Sequence, residues 1–328
     1  MMERKYSVGI WAYGNCCDRF CEEGYQRTKT FEEKVKLASD TKGLHGIEVH
    51  HNGDFNLSNF KEAYNIISSS KLKVSAVNCN TFGSKEFWKG ALTARDESTR
   101  ARAIDIVKKA AEVAQYMGAS VVNLWPGADG YDYSFQIDYN KYVDLMVNAL
   151  KEIATEYPNT KFSLEYKIRE PRIRSAITTV DRALTLINEI KKDNLGVTVD
   201  FGHSLQAREN PAEAAIVASR YNKLFHVHLN DNSRDWDDDL IIGTYHFWET
   251  LEFVYYLNKI GYKDWLGFDM SPARENQVEA VEYSIRTMER YFNIISQFDE
   301  ELLQKAFYNC DALEARKYIE KFVFNDIS

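Results

Sequence analysis

Eight short runs rich in Val, Ile, Leu or Phe alternate with longer amphipathic runs along the chain. The strand-like runs are residues 6–12, 46–50, 73–78, 120–125, 161–166, 196–200, 224–229 and 266–270. Their near-continuous apolar character is that of strands buried on both faces, as in a parallel sheet. The intervening runs, 30–42, 57–69, 98–117, 139–157, 179–191, 211–219, 247–259 and 278–292, carry helical periodicity. Gly43, Gly118 and Gly261 fall just past three of the helices, where a left-handed cap is needed. Eight β-then-α units predict an α/β fold, a closed (β/α)8 barrel. A doubly wound open sheet is the competing arrangement, and the lack of an early Gly-rich phosphate loop disfavours it. At 328 residues the chain is long for one ordinary domain, but α/β barrels reach this size. The barrel is expected over 1–295. Residues 296–328 read as a short helical tail, packed on the barrel or on a neighbouring subunit.

Charge narrows the class. With 41 basic and 49 acidic residues the formal net charge is −8. A non-specific nucleic-acid binder needs a basic face, so no nucleic-acid partner is expected. No run of about 18 apolar residues is present, so no membrane span is expected. The N-terminal MMERKYSVGIW lacks the apolar segment of a signal peptide. The cysteines at 16, 17, 21, 79 and 310 are odd in number and irregularly spaced, which suggests free thiols and a cytoplasmic location.

In (β/α)8 barrels chemistry collects at the C-terminal ends of the strands. Here the unusual residues do fall there. Of seven histidines, five (His50, His51, His203, His226 and His228) lie at predicted strand ends. Glu165, Asp200, His228 and Asp269 come from the fifth to eighth strands and can converge above the barrel. Three carboxylates and an imidazole, with no thiolate, suit Mg²⁺ or Mn²⁺ and tolerate Co²⁺. A lone acid at such a position is adequately explained as a helix cap; four converging ones are not. Asp200 followed by His203, with Asp237 and Asp239 two residues apart in the next loop, suggests a second cation site. The run 236–239 taken alone reads equally well as a solvated acidic turn. Lys167 shares a strand face with Glu165 and can polarise a carbonyl. His50, with an ordinary pKa near neutrality, can act as acid or base on a sugar hydroxyl. Trp11, Phe87 and Trp125 can wall a pocket, although core packing explains any one of them.

Several ordered segments resemble the xylose isomerase group of metal-dependent sugar isomerases. Residues 164–172, LEYKIREPR, are similar to that family's E-x-K-x-x-E-P-R stretch. Residues 200–203, DFGH, resemble E-x-G-H, and 224–230, LFHVHLN, resemble L-F-H-x-D-x-N. Residues 237–243 resemble D-x-D-L-x-x-G, and 268–274, FDMSPAR, resemble F-D-x-K-P-x-R. The resemblance runs from about Tyr6 to Arg274 and implies a TIM barrel, two divalent cations (Mn²⁺, Mg²⁺ or Co²⁺) and a 1,2-hydride shift on a free pentose or hexose. Carried over, Glu165, Asp200, His228 and Asp269 hold the first cation. Asp200, His203, Asp237 and Asp239 hold the second. Lys167, His50 and Asp239 are the implied catalytic residues. Trp11, Phe87, Trp125 and His203 are implied to line the substrate pocket, with Phe20 reaching a neighbouring subunit. A homo-oligomer, dimer or tetramer, is implied too, although the tail is shorter than the family's. Asp at 200 and His at 228 also resemble L-rhamnose isomerase and ketose 3-epimerase relatives. A ketose 3-epimerase, or a lyase or deglycosidase acting on a sugar conjugate, is therefore the alternative.

Overall fold

The computed structural model describes residues 4–324. Its strands are β1 (Lys5–Gly9), β2 (Gly46–His51), β3 (Lys73–Cys79), β4 (Val121–Leu124), β5 (Gly130–Tyr131), β6 (Phe162–Glu165), β7 (Arg174–Ser175), β8 (Leu195–Asp200), β9 (Leu224–Leu229) and β10 (Trp265–Phe268). All but β5 and β7 form one closed parallel barrel in the order β1-β10-β9-β8-β6-β4-β3-β2. Closure comes from β1 pairing with β10, Lys5 beside Trp265 through Val8 beside Phe268. The barrel expected from the sequence is thus the fold. β5 and β7 make a two-residue antiparallel pairing outside it, which the sequence pattern is too short to reveal.

The helices are α1 (Phe31–Asp40), α2 (Phe60–Ser68), α3 (Glu97–Met117), α4 (Tyr139–Glu156), α5 (Val180–Ile190), α6 (Phe201–Gln206), α7 (Pro211–Arg220), α8 (Phe247–Lys259), α9 (Gln277–Ile295), α10 (Glu300–Tyr308) and α11 (Ala312–Val323). Local chemistry sets many of their ends. Thr30 and Glu33 form a reciprocal capping box at the start of α1. Asp96 caps α3, which stops at Gly118 in the left-handed conformation. Asn210 caps α7, with Pro211 at the first helical position.

One boundary departs from expectation. The first strand stops at Gly9 rather than at residue 12, and Ile10–Tyr13 form a single 3-10 turn. The turn folds the Trp11 indole back over Gly9, where a Cβ would lie 2.1 Å from Trp11 Cε2. Only glycine leaves room for that return.

The barrel interior is not wholly apolar. A hydrogen-bonded row crosses it from strand to strand. Ser163 meets Thr198 at 2.6 Å, Thr198 donates to Asn123 at 2.6 Å, Asn123 to Asn78 at 2.7 Å and Asn78 to Glu48 at 3.1 Å. Such a row is tolerable in the core because its members satisfy one another. It forms a rigid floor beneath the C-terminal ends of the strands.

After α9 the tail turns back as α10 and α11. Leu303 and Ala306 are the buried residues of α10, while α11 buries none. Tyr255 of α8 donates to Glu300 at 2.8 Å, and the Arg316 guanidinium sits 3.6 Å from the centre of a Trp248 ring. Residues 1–3 of the expected barrel span and 325–328 of the expected tail lie outside the described residues.

Candidate active site

Above the polar floor the strand ends surround a cavity of about 160 Å³. Each strand delivers its residue by register. Asp200, the last residue of β8, stands beside His228 of β9, and Glu165 ends β6. Asp269 follows β10 directly, its backbone N–H donating to Leu229 O at 3.3 Å. Glu165, Asp200, His228 and Asp269 each offer a ligand atom within 4.8 Å of the others. The structure therefore brings the four first-cation residues together. His228 Nδ1 lies 3.0 Å from Glu165 Oε1, 3.6 Å from Asp269 Oδ2 and 3.8 Å from Asp200 Oδ2.

Each carboxylate is held from behind. Glu165 accepts from Asn123 Nδ2 at 2.7 Å, Asp200 from Asn230 Nδ2 at 3.0 Å and the His203 amide at 2.7 Å. Asp269 accepts from Trp11 Nε1 at 2.8 Å. The Asp200 bond is also the N-cap of α6, a six-residue helix the sequence pattern gave no sign of. Gly202 in that helix lies so close to Asn230 that a Cβ would sit 2.4 Å from its Oδ1.

The electrostatics are those of buried anions crowded together. Burial, with Glu165 and Asp200 close by, raises the Asp269 carboxyl to about 7 despite His228. Burial also raises Asp200, with Asp237 and Glu165 adding to it. Burial raises Asp239 well above the carboxylate range, helped by Asp237 and Asp269. Glu165 goes the other way: burial works to raise it, but the His228 imidazole prevails and brings it to about 2. A divalent cation among these groups would relieve the repulsion. The all-oxygen-and-imidazole donor set fits a divalent cation of the Mn²⁺, Mg²⁺ or Co²⁺ kind.

The second-cation residues are neighbours without being gathered in the same way. His203 Nε2 is 3.0 Å from Asp237 Oδ2, and His203 Nδ1 is 3.8 Å from Asp200 Oδ1. Lys167 Nζ reaches the same Asp237 oxygen at 2.7 Å and also pairs with Glu170. Asp239 accepts from Ser271 Oγ at 3.3 Å. Among the described residues, these four do not form a set with all ligand atoms within 4.8 Å. Asp237 Oδ1 and His203 Nδ1 are nonetheless buried without a hydrogen-bond partner, which leaves donor capacity for a cation. Burial opposes charge on His203, yet Asp200 and Asp237 hold it up at about 10.

Lys167 is almost fully buried and stays charged because Asp237 and Glu170 outweigh desolvation. Its ammonium lies 4.9 Å from the centre of a Trp125 ring. His50 lines the cavity, its ring 4.6 Å from that of Trp11, and burial lowers its pKa so that it is neutral near pH 7. Trp11 and Trp125 both line the cavity. Phe87 is not: it is buried in the core, and Phe82, 4.4 Å from Trp125 between ring centres, lines the cavity instead. The sequence offers Phe87 only as an aromatic implied to line the pocket, whereas the wall is chosen by the turn after β3. Phe20 is 78% exposed on the 15–24 loop and lies outside this cavity.

Sequence reasoning gave no role to Glu48, Asn78 or Asn123, which carry no ligand pattern of their own, and noted His226 only as one of the strand-end histidines. A faint signal was available: Glu48 is an acid in the middle of an otherwise apolar strand. His51 is buried outside the cavity, and burial lowers it to about 4. His45 accepts from the Tyr6 amide at 3.2 Å, and His246 Nδ1 meets Asp231 at 2.7 Å. Neither touches the cavity.

Comparison with known proteins agrees with this geometry. The sequence profile of the family described as xylose isomerase-like TIM barrel matches residues 35–291. The chain is 27% identical over 313 residues to a xylose isomerase of Thermus thermophilus, spanning 90% of this chain and 80% of that protein. Among solved structures, a D-tagatose 3-epimerase-like protein superposes with a TM-score of 0.68 at 20% identity, covering 89% of this chain and 98% of the other. An L-ribulose 3-epimerase superposes with a TM-score of 0.67 at 14% identity, covering 95% and 99%. At such identities the structural matches speak for the fold alone. All five cysteines are free, and among the described residues no helix is long and apolar enough to cross a membrane.

Proposed function

Since the chain belongs to the xylose isomerase-like TIM barrel family, we propose that it is a metal-dependent aldose–ketose isomerase acting on a free pentose or hexose. The observation that carries this reading is the content of the cavity beyond the first-cation set: a buried lysine, Lys167, and two loop acids, Asp237 and Asp239. A ketose 3-epimerase needs two carboxylates flanking one cation and has no use for these three.

Divalent cations, when bound, supply Lewis-acid polarisation of the sugar carbonyl and offset the charge that develops on its oxygens. The chain itself does the rest. Lys167 donates a hydrogen bond to O1 of the open-chain sugar, its charge kept by Asp237 and Glu170. His50, neutral and facing the cavity, exchanges a proton with the ring oxygen as the sugar opens. Asp239, which burial and the nearby Asp237 and Asp269 bias towards its protonated form, takes part in moving the O2 proton. Trp11, Phe82 and Trp125 keep water from C1 and C2 while hydrogen passes between them. The acid balance and the site chemistry favour a small sugar over a nucleic acid as partner. A homo-oligomer remains the expected assembly, with the exposed Phe20 loop as a contact between subunits.

The second reading has one observation in its favour. Glu165 and Asp269 both line the cavity, which is the two-carboxylate arrangement an epimerase uses. Turnover in D₂O separates the two. Loaded with Mn²⁺, Mg²⁺ or Co²⁺ and given a panel of ketoses and of aldoses deuterated at C2, an isomerase yields ketoses from the aldoses with that deuterium at C1 and little exchange with solvent. Deuterium from solvent appearing at C3 of a ketose establishes epimerisation instead, and no interconversion of any panel member refutes both.

A further inference from the structure

Beneath the first-cation set lies a cluster with no role in the reaction as described. Glu48 of β2 is fully buried, and its two carboxylate oxygens take up three donors. Oε1 meets His226 Nε2 at 2.8 Å. Oε2 meets His228 Nε2 at 3.1 Å and Asn78 Nδ2 at 3.1 Å. A carboxylate offers only acceptors to such partners, so both imidazoles present Nε2–H to it. For His228 this has a directional consequence. Nδ1, 3.0 Å from Glu165 Oε1, faces Glu165, Asp200 and Asp269; it is the nitrogen that gives up its proton when a cation binds among them, which leaves Nε2–H on Glu48.

The strand opposite is shaped around the same carboxylate. Gly267 of β10 lies in register with His228. A Cβ at 267 would sit 2.4 Å from Glu48 Oε1, 3.2 Å from His226 Nε2 and 3.3 Å from His228 Cδ2. Any other residue there displaces the group that holds the histidine. A glycine inside a strand weakens it, so its presence needs a reason such as close approach of another group.

We propose that Glu48 is a positioning residue: it fixes the Nε2–H tautomer and ring orientation of His228, so that Nδ1 is the nitrogen offered to the first cation, and Gly267 keeps the space Glu48 needs. The inference rests on the reading that Glu165, Asp200, His228 and Asp269 hold that cation. Partners of this kind typically change metal affinity by about 10- to 100-fold when removed.

The test uses the full chain and Mn²⁺ alone, with the free ion measured by electron paramagnetic resonance. Glu48→Gln keeps the shape but can accept from only one histidine through its single oxygen. It is expected to weaken Mn²⁺ binding by about tenfold or more. Gly267→Ala is expected to weaken it in the same direction. The ¹⁵N spectrum of the Mg²⁺-loaded wild-type protein, labelled at its seven histidines, is expected to show the His228 proton on Nε2. That measurement needs no variant and decides the matter even if Glu48→Gln does not fold. A proton on Nδ1, or a Glu48→Gln protein binding Mn²⁺ within about twofold of wild type, overturns the role given to Glu48 while leaving the cation site intact. A wild-type protein that binds no Mn²⁺ overturns both.

Discussion

Two hollows in this molecule differ in size and in content. The one between α8 and the tail helices encloses about 680 Å³ and is walled by residues such as Trp248, Tyr255, Phe298, Phe307 and Ile319. The one at the barrel mouth encloses about 160 Å³, yet Glu165, Lys167, His203, Asp237, Asp239 and Asp269 all face it. The larger hollow is a packing consequence of laying a helical hairpin on a barrel. The smaller is held open by charges that folding alone does not favour, because buried like charges oppose it. Chemical capacity follows the density of strained, ionisable groups, not the volume.

That contrast can be broken by substitution. Asp237→Asn strikes the charged hollow, removing the partner of Lys167 and His203. Turnover on the responsive aldose is expected to fall about 100-fold. If 236–239 is only a solvated turn, steady-state rates stay where they were. The apolar hollow should answer in the opposite sense. Leu303→Ala removes a side chain 1% exposed under the tail and is expected to cost about 3 kcal/mol of stability. Its kcat, measured below the melting range, should match wild type, and a clear loss there would tie the tail to the site.

A smaller effect is expected outside both hollows. Glu209 is largely buried, and that burial raises its carboxyl from 4.5 to about 7, although the Val180 amide donates to it at 3.1 Å. The folded state therefore holds this proton more tightly than the unfolded chain. Its contribution to stability is full below pH 4.5 and is lost as the pH rises through 7. Glu209→Gln should remove that decline, so urea midpoints of the variant and wild type diverge between those pH values. Parallel curves would show that Glu209 titrates normally.

Much of this was written in the sequence, for identifiable reasons. Strands buried on both faces read as apolar runs, so all eight barrel strands could be located, and strand ends then pointed to Glu165, Asp200, His228 and Asp269. Their convergence follows from barrel geometry, not from any spacing in the chain. What could not be read depends on contacts across the fold. Phe82 rather than Phe87 walls the cavity because of how one loop turns. Glu48 matters because of two histidines some 180 residues away, at 226 and 228. The second-cation residues show the same limit: types and order are legible, but Lys167 on Asp237 is a matter of side-chain placement.

The pairing of β1 with β10 has a consequence for biosynthesis. The barrel is sealed by its first strand and its last, and Trp11, near one end, holds Asp269, near the other. A nascent chain emerging in order carries an open sheet edge on β1 until β10 appears. Neither the sheet nor the cluster of Glu165, Asp200, His228 and Asp269 can be complete before residue 269 is free of the ribosome. Newly made chain thus spends most of its translation with exposed strand edges and with the proposed cation site unassembled, the interval in which chaperone protection counts most.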